Sequence, residues 1–255
     1  MGNSLASVDR PVGVVLAAGT GTRLRPLTDV RPKALCPIDD VPLVDLALQR
    51  VHPVAAEVAV NVHHGAAALA AHLEGRAHLS MEPTALGTAG ALGKLRAWID
   101  GRDVLVHNVD SWHDVDLVQF AVGWDRARPR LLTVERHAPA DFGTRLYAGV
   151  ALLPWHEVAD LPAEPAGLYE VCWRHRNPGE LDLIDHPGAF LDCGTPARYL
   201  AANLAASGGA AVIGAGARVD GTVVRSVVWP GARVWPSEEL RDAIRVADRV
   251  TVLVR

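Results

Sequence analysis

Short apolar runs alternate with helix-spaced stretches along most of this 255-residue chain. Val12 to Leu16 is brief and rich in β-branched residues, the pattern of a buried strand. Val44 to Val51 reads as a helix, Glu57 to Val62 as a strand, Ala66 to Leu73 as a helix and Ala77 to Met81 as a short strand. Leu86 to Ile99 returns to helical spacing and Val104 to His107 to strand. This βαβα series predicts an α/β fold: a doubly wound, mostly parallel sheet with helices on both faces. Right-handed crossovers would then place ligands at the carboxyl ends of the strands. Leu131 to Glu135 and Arg145 to Leu152 add strands, and Ala197 to Ala206 a helix with Thr195 as N-cap and Pro196 at its first turn.

From Ala211 the pattern changes. Gly216-Ala-Arg-Val219 recurs as Gly231-Ala-Arg-Val234, with Ser226-Val-Val228 between them. Valines and small residues at near-hexad spacing predict a few coils of left-handed parallel β-helix, continued by Leu240, Ile244 and Val250. The expected division is therefore residues 1–208 as the main domain and 209–255 as a short β-helix-like tail. Exposed β-coils need a partner surface, so removal of the tail is expected to alter association or solubility and to spare the chemistry.

Composition narrows the function. Nearly half the residues are apolar, enough for a full core. The net charge of −4 with no basic run argues against nucleic acid as partner. No apolar run reaches membrane-spanning length, and residues 1–11 lack the apolar centre of a signal peptide. Cys36, Cys172 and Cys193 are odd in number and lack metal or redox spacing, so they read as free thiols of a reducing cytoplasm.

The candidate chemistry begins where the first strand ends. Leu16-Ala17-Ala18-Gly19-Thr20-Gly21-Thr22-Arg23-Leu24-Arg25-Pro26-Leu27-Thr28 is followed by Arg31-Pro32-Lys33. Glycines allow close backbone approach to a ligand, backbone N–H groups in such a turn form an anion nest, and the cations follow at once. A Walker A loop would need Gly-Lys-Ser/Thr where Gly21-Thr22-Arg23 stands. A dinucleotide fingerprint would need glycine at Leu24 and an immediate helix, which the prolines disfavour.

The string resembles the signature loop of the sugar-1-phosphate nucleotidyltransferases, closest to their mannose-1-phosphate guanylyltransferase and N-acetylmuramate-1-phosphate uridylyltransferase branches. Every fixed position of that signature matches, including the downstream Pro32-Lys33-x-Leu35. The resemblance implies a Rossmann-like enzyme that moves a nucleoside monophosphate from a nucleoside triphosphate to a sugar 1-phosphate and releases pyrophosphate. It implies nucleotide binding by Leu16, Ala17, Ala18, Gly19, Thr20, Gly21 and Thr22, with Arg23 and Lys33 as catalytic cations. Leu86-Gly87-Thr88-Ala89-Gly90-Ala91 is similar to the family's base-cradling motif, which brings in Gly87 and Thr88. Asn108-Val109-Asp110 and Phe190-Leu191-Asp192-Cys193-Gly194-Thr195-Pro196 resemble the two segments whose aspartates hold Mg2+, so Asp110 and Asp192 are the expected metal ligands. Two hard oxygens suffice for magnesium beside phosphate and water.

This chain departs from the family in two places. Val109 stands where the family has glycine. Asp141-Phe142-Gly143 runs almost directly into Arg145 and Gly149, without the Glu-Lys-Pro segment whose lysine meets the sugar phosphate. Gly149 and Arg145 are the expected sugar-side residues, Arg145 as a replacement charge of different geometry. Asn61-Val62-His63-His64 resembles a strand-end motif of the guanylyl and uridylyl branches and favours GTP or UTP. Adjacent histidines on a strand face opposite ways and make poor joint metal ligands. Two alternatives stay open: a homologue that binds nucleotide sugars without turnover, and, less favoured by the loop, an NAD-dependent oxidoreductase.

Overall fold

The computed structural model describes residues 10–136, 140–177, 179–248 and 250–254. Residues 1–9, most of the stretch in which no signal peptide is expected, lie outside them. The chain forms two compact units. The first comprises residues up to Gly19 and Ala47–Phe190; the second comprises Thr20–Leu46 and Leu191–Arg255.

The first unit is built on seven strands: β1 (Val12–Leu16), β2 (Val58–Val62), β3 (His78–Met81), β4 (Val104–Asn108), β5 (Arg130–Glu135), β6 (Arg145–Leu153) and β7 (Asp182–Asp185). Their order across the sheet is β7-β5-β6-β4-β1-β2-β3. β1 pairs in parallel with β2 and β4, β2 with β3, and β5 with β7. Among these described strands, β6 alone runs against its neighbours, β4 and β5. The mostly parallel α/β sheet expected from the alternation is therefore present, with β6 as its antiparallel member.

Side-chain alternation sets the two faces. Val12, Val14, Ala59, Val104, Val106, Leu131 and Ala151 pack with Ala89, Leu92, Leu95 and Ile99 of α1 (Gly87–Ile99). On the opposite side of β1, a Cβ at Gly13 would stand 2.3 Å from Val51 Cγ1, so the helix ending at Val51 lies directly on the strand. The hairpin β5–β6 closes through the Phe142–Arg145 bridge, and no strand pair stands between Phe142 and β6. Residues 137–139 of that hairpin lie outside the described residues.

In the second unit the signature segment folds into short turns, Thr22–Leu24, Leu27–Val30 and Lys33–Leu35, anchored by Leu24 and Leu27, both fully buried. The hairpin Pro37–Ile38/Val41–Pro42 follows. α2 (Pro196–Ala206) starts as expected, with Thr195 Oγ1 accepting from the Arg198 N–H. In the tail the two Gly-Ala-Arg-Val repeats stack in parallel, Arg218 against Arg233 and Val219 against Val234. Thr222–Val224 stacks on Glu239–Arg241, and Val227–Val228 lies between Val212–Ile213 and Ile244–Arg245. This is the β-helix-like tail.

The tail does not continue through Val250. Val250–Leu253 turns back and pairs antiparallel with Ala243–Ala247. Beside the reversal, the nearly buried Arg245 guanidinium holds the carbonyls of Arg233 and Asp248 and the carboxylate of Glu238.

Candidate active site

The cationic segment belongs to the second unit. Gly21 has φ +65°, and its carbonyl accepts from Thr28 Oγ1–H at 3.0 Å. A Cβ at Gly21 would stand 3.1 Å from Lys33 Cβ, so the glycine lets the Lys33 turn close on the start of the loop. Arg25 pairs with Asp29 at the surface. Arg23 reaches the turn after Asp192: a Cβ at Gly194 would lie 3.0 Å from Arg23 Nη2 and 2.7 Å from Asp192 Oδ1. Asp192 Oδ2 accepts from Arg198 at 2.9 Å, whereas Oδ1 is buried without a hydrogen-bond partner. An orphaned, buried carboxylate oxygen is a costly feature that a hard cation would relieve. Asp192 therefore fits the magnesium role expected from the sequence.

In the first unit the strand ends are tied by a network that the motifs do not announce. The Ala17 N–H donates to Asn61 Oδ1 at 2.6 Å, and the Asn61 amide donates to Glu82 Oε1 at 2.8 Å. Glu82 Oε2 accepts from the Leu86 N–H at 3.0 Å, and His63 Nδ1 lies 2.9 Å from the Glu82 carbonyl. Asn61 and Glu82 are both nearly inaccessible. One buried carboxyl thus fixes Ala17, at the head of the signature loop, relative to Leu86, at the mouth of α1. A readable signal existed: an acid between two apolar elements, and an asparagine one residue before the end of an apolar strand. His63 and His64 follow β2 and lie beyond its last residue.

Gly87 and Thr88 open α1 as expected, and their contacts are internal. A Cβ at Gly87 would stand 2.4 Å from the Ala166 carbonyl oxygen, one at Gly90 2.1 Å from that of Glu164, and one at Gly93 2.3 Å from that of Pro162. This glycine stripe admits the 162–166 backbone onto the helix. Thr88 Oγ1 accepts from the Leu168 N–H at 2.7 Å.

Asp110 follows β4, where the Val109 N–H donates to the Leu16 carbonyl at 3.1 Å. Gly149, at φ +80°, is required by this turn, because its Cβ would fall 2.0 Å from Ser111 Oγ and 3.1 Å from Asn108 Nδ2. Beneath it lie two fully buried histidines, His107 and His113, with Nε2 atoms 3.0 Å apart. The partners fix their protons. His107 Nδ1–H donates to the Asn108 carbonyl, His113 Nδ1 accepts from the Val115 N–H, and so His113 Nε2–H donates to His107 Nε2. Both rings are neutral; burial, with Arg50 nearby, pushes His107 down to about 4, and burial pushes His113 lower still.

Arg145 is engaged by Asp185, with Nε 2.8 Å from both carboxylate oxygens and Nη2 2.7 Å from Oδ2. Thr133 Oγ1–H also donates to Asp185, and the Arg145 guanidinium holds the Asp185 carboxyl below its usual range. The pair lines an open cavity of about 400 Å³ with Glu135, Thr144, His186 and Pro187. Among the described residues no cluster of three or more His, Cys, Asp or Glu could hold a metal. No helix among them is long and apolar enough to cross a membrane.

A mostly parallel sheet whose first strand opens into a cation-bearing glycine loop, with acids at later strand ends, suits nucleotidyl transfer. The chain belongs to the sugar-1-phosphate nucleotidyltransferase family, and the nucleotidyl transferase family profile matches residues 12–144. It is 32% identical over 196 residues to the N-acetylmuramate alpha-1-phosphate uridylyltransferase of Caulobacter vibrioides, spanning 71% of this chain and 74% of that protein. A structure described as mannose-1-phosphate geranyltransferase from Thermus thermophilus aligns with a TM-score of 0.70 at 15% identity, covering 94% of each chain. HddC from Yersinia pseudotuberculosis, complexed with GMP-PN, aligns at 0.63 and 18% identity over 76% of this chain and 98% of that one. At such identities the structural likeness is one of fold.

Proposed function

We propose that this enzyme transfers UMP from UTP to an N-acetylated amino-sugar 1-phosphate of the N-acetylmuramate type, with GTP as the next candidate donor. The observation that carries the choice of substrates is the identity to the Caulobacter vibrioides uridylyltransferase across about three quarters of its length. The sugar phosphate has a second pKa near ~6 and is already a dianionic nucleophile at neutral pH, so no general base is needed. Its oxygen attacks the α-phosphorus, the new P–O bond forms, and the bond to the pyrophosphate oxygen breaks. Leu16 to Thr22 receive the triphosphate, Arg23 and Lys33 neutralise its charge, and Gly87 and Thr88 border the base. Asp110 and Asp192 are the carboxylates that would hold Mg2+, which would reduce repulsion between the two polyanions. The 1–208 region carries this chemistry; residues 209–255 are the tail through which a homo-oligomer would form. Free Cys36, Cys172 and Cys193 suit a reducing cytoplasm.

One observation favours a second reading. With Arg145 held by Asp185 and no Glu-Lys-Pro segment, the sugar phosphate lacks its expected cation, and the protein would bind nucleotide sugar without turnover. Pyrophosphate release from a panel of nucleoside triphosphates against sugar 1-phosphates decides between the readings. Release with UTP and an amino-sugar phosphate supports the first; release with no pair, alongside tight nucleotide-sugar binding, supports the second.

A further inference from the structure

The tail shares a unit with the cationic segment Thr20–Leu46, and the contacts between them are specific. Trp229, fully buried in the tail, donates its Nε1–H to Tyr199 Oη at 3.0 Å. Tyr199, fully buried on α2, donates its hydroxyl to the Pro37 carbonyl. The Arg31 guanidinium lies over the Trp229 ring at 4.6 Å. The hairpin turn is gripped as well. Asp39 and Asp40 both have positive φ, a strained state for residues with side chains. The Asp39 N–H donates to Asn203 Oδ1 at 3.0 Å, and Asp40 Oδ2 accepts from the Ala215 N–H at 2.9 Å. Asn203 is itself buried and donates to the Tyr199 carbonyl. Four anchors, at Arg31, Pro37, Asp39 and Asp40, thus flank Lys33 in a segment with little regular structure of its own.

We infer that Trp229 and Tyr199 are positioning residues for the triphosphate-binding loop, so that the tail sets nucleotide affinity and is more than an oligomerisation element. The inference rests on the reading of Arg23 and Lys33 as phosphate-binding cations. A segment with only short turns holds one geometry when surrounding structure over-determines it. Trp229 offers both an aromatic face, which steers Arg31, and a donor that completes the Tyr199–Pro37 relay. The expectation that loss of the tail leaves the chemistry intact is replaced by one in which the loop loosens.

The test compares Trp229→Phe, Tyr199→Phe and, as a control within the tail, Trp235→Phe, whose indole stacks on Arg233. Full-length proteins are compared by amide hydrogen exchange, with the Leu35 and Cys36 N–H groups as reporters, since these close the Lys33 turn. Exchange there is expected to rise about tenfold in the first two variants, a factor equal to about 1.4 kcal/mol of lost protection. The KM for the nucleoside triphosphate should rise by a similar factor, with the KM for the sugar phosphate unchanged. Trp235→Phe should alter neither. Unchanged exchange in Trp229→Phe and Tyr199→Phe, with only a lower Tm, would overturn the inference. Should the wild type prove inactive, exchange still reads the brace, and the failure belongs to the functional reading.

Discussion

Glu82 is the side chain whose loss the first unit should feel most. Its two oxygens each take one buried donor, the Asn61 amide and the Leu86 N–H. Glu82→Ala strands both, and an unsatisfied buried donor costs roughly 1–3 kcal/mol, giving about 2–6 kcal/mol in all. Glu82→Gln is the sharper perturbation because it keeps the volume. Its one oxygen can serve one donor; its –NH2 must then face the other. Asn61 cannot relieve this by turning its amide, because Oδ1 is committed to the Ala17 N–H. One donor–donor confrontation remains, worth about 1–3 kcal/mol. At roughly 2–4 °C per kcal/mol, calorimetry should resolve both variants. With Leu86 N–H unpaired and Asn61 no longer held against Glu82, the variants should also weaken nucleoside triphosphate binding. A Glu82→Gln protein within about 0.5 kcal/mol of wild type, the range of a neutral surface change, would refute the reasoning.

Lys33→Ala should lower kcat/KM about a hundredfold through the loss of one electrostatic donor, with Arg23→Ala similar and Arg25→Ala milder because Arg25 pairs with Asp29; near-normal steady-state rates for Lys33→Ala would reduce the segment to a structural turn. Asp110→Asn and Asp192→Asn should each abolish magnesium-dependent pyrophosphate release without loss of fold by circular dichroism, and a magnesium titration that is unshifted in both would remove them as ligands. Acid stability should carry the mark of His107. Its folded pKa, about 4 against an ordinary 6.5, means the unfolded chain binds the extra proton between these values. Its stabilising contribution is therefore complete above pH 6.5 and lost towards pH 4, on the order of 3 kcal/mol. Arg50 opposes protonation alongside burial while Asp110 favours it, and His113 and His186 share the neighbourhood. Replacement by Gln should reduce the dependence of Tm on pH in this window, His113 supplying the remaining slope, and an unchanged slope would refute the assignment.

The local signals were legible where one segment suffices. β1, β2, β4 and α1 follow from period and length, and the Thr195 cap falls where its motif puts it. The long-range partners were not legible. Nothing near Asn61 in sequence says that it faces Ala17 and Glu82, since strand order alone brings those ends together. Gly87 and Thr88 read as a ligand-facing opening, yet the spacing of Gly87, Gly90 and Gly93 equally marks a helix face that another backbone approaches. Val250 carries the tail's apolar pattern, yet its strand turns back antiparallel on Ala243–Ala247, a long-range pairing that a pattern of apolar positions does not register. Trp229 likewise gave no sign of its role, because its partner Tyr199 lies on a helix outside the repeats.

The second unit joins two stretches of chain separated by the whole of Ala47–Phe190. During synthesis this imposes a waiting time. At about 5–20 residues per second, the stretch from Ala47 to the tail takes on the order of 10–40 s to emerge. The first unit's sheet can pair within that interval, whereas Thr20–Leu46 has none of its later anchors until Tyr199, Asn203, Ala215 and Trp229 follow. Such distant pairings form late because loop closure must precede the contacts that reward it. A prematurely terminated chain would then carry a formed sheet and a Thr20–Leu46 segment without its anchors, recognisable to proteases by that exposed stretch.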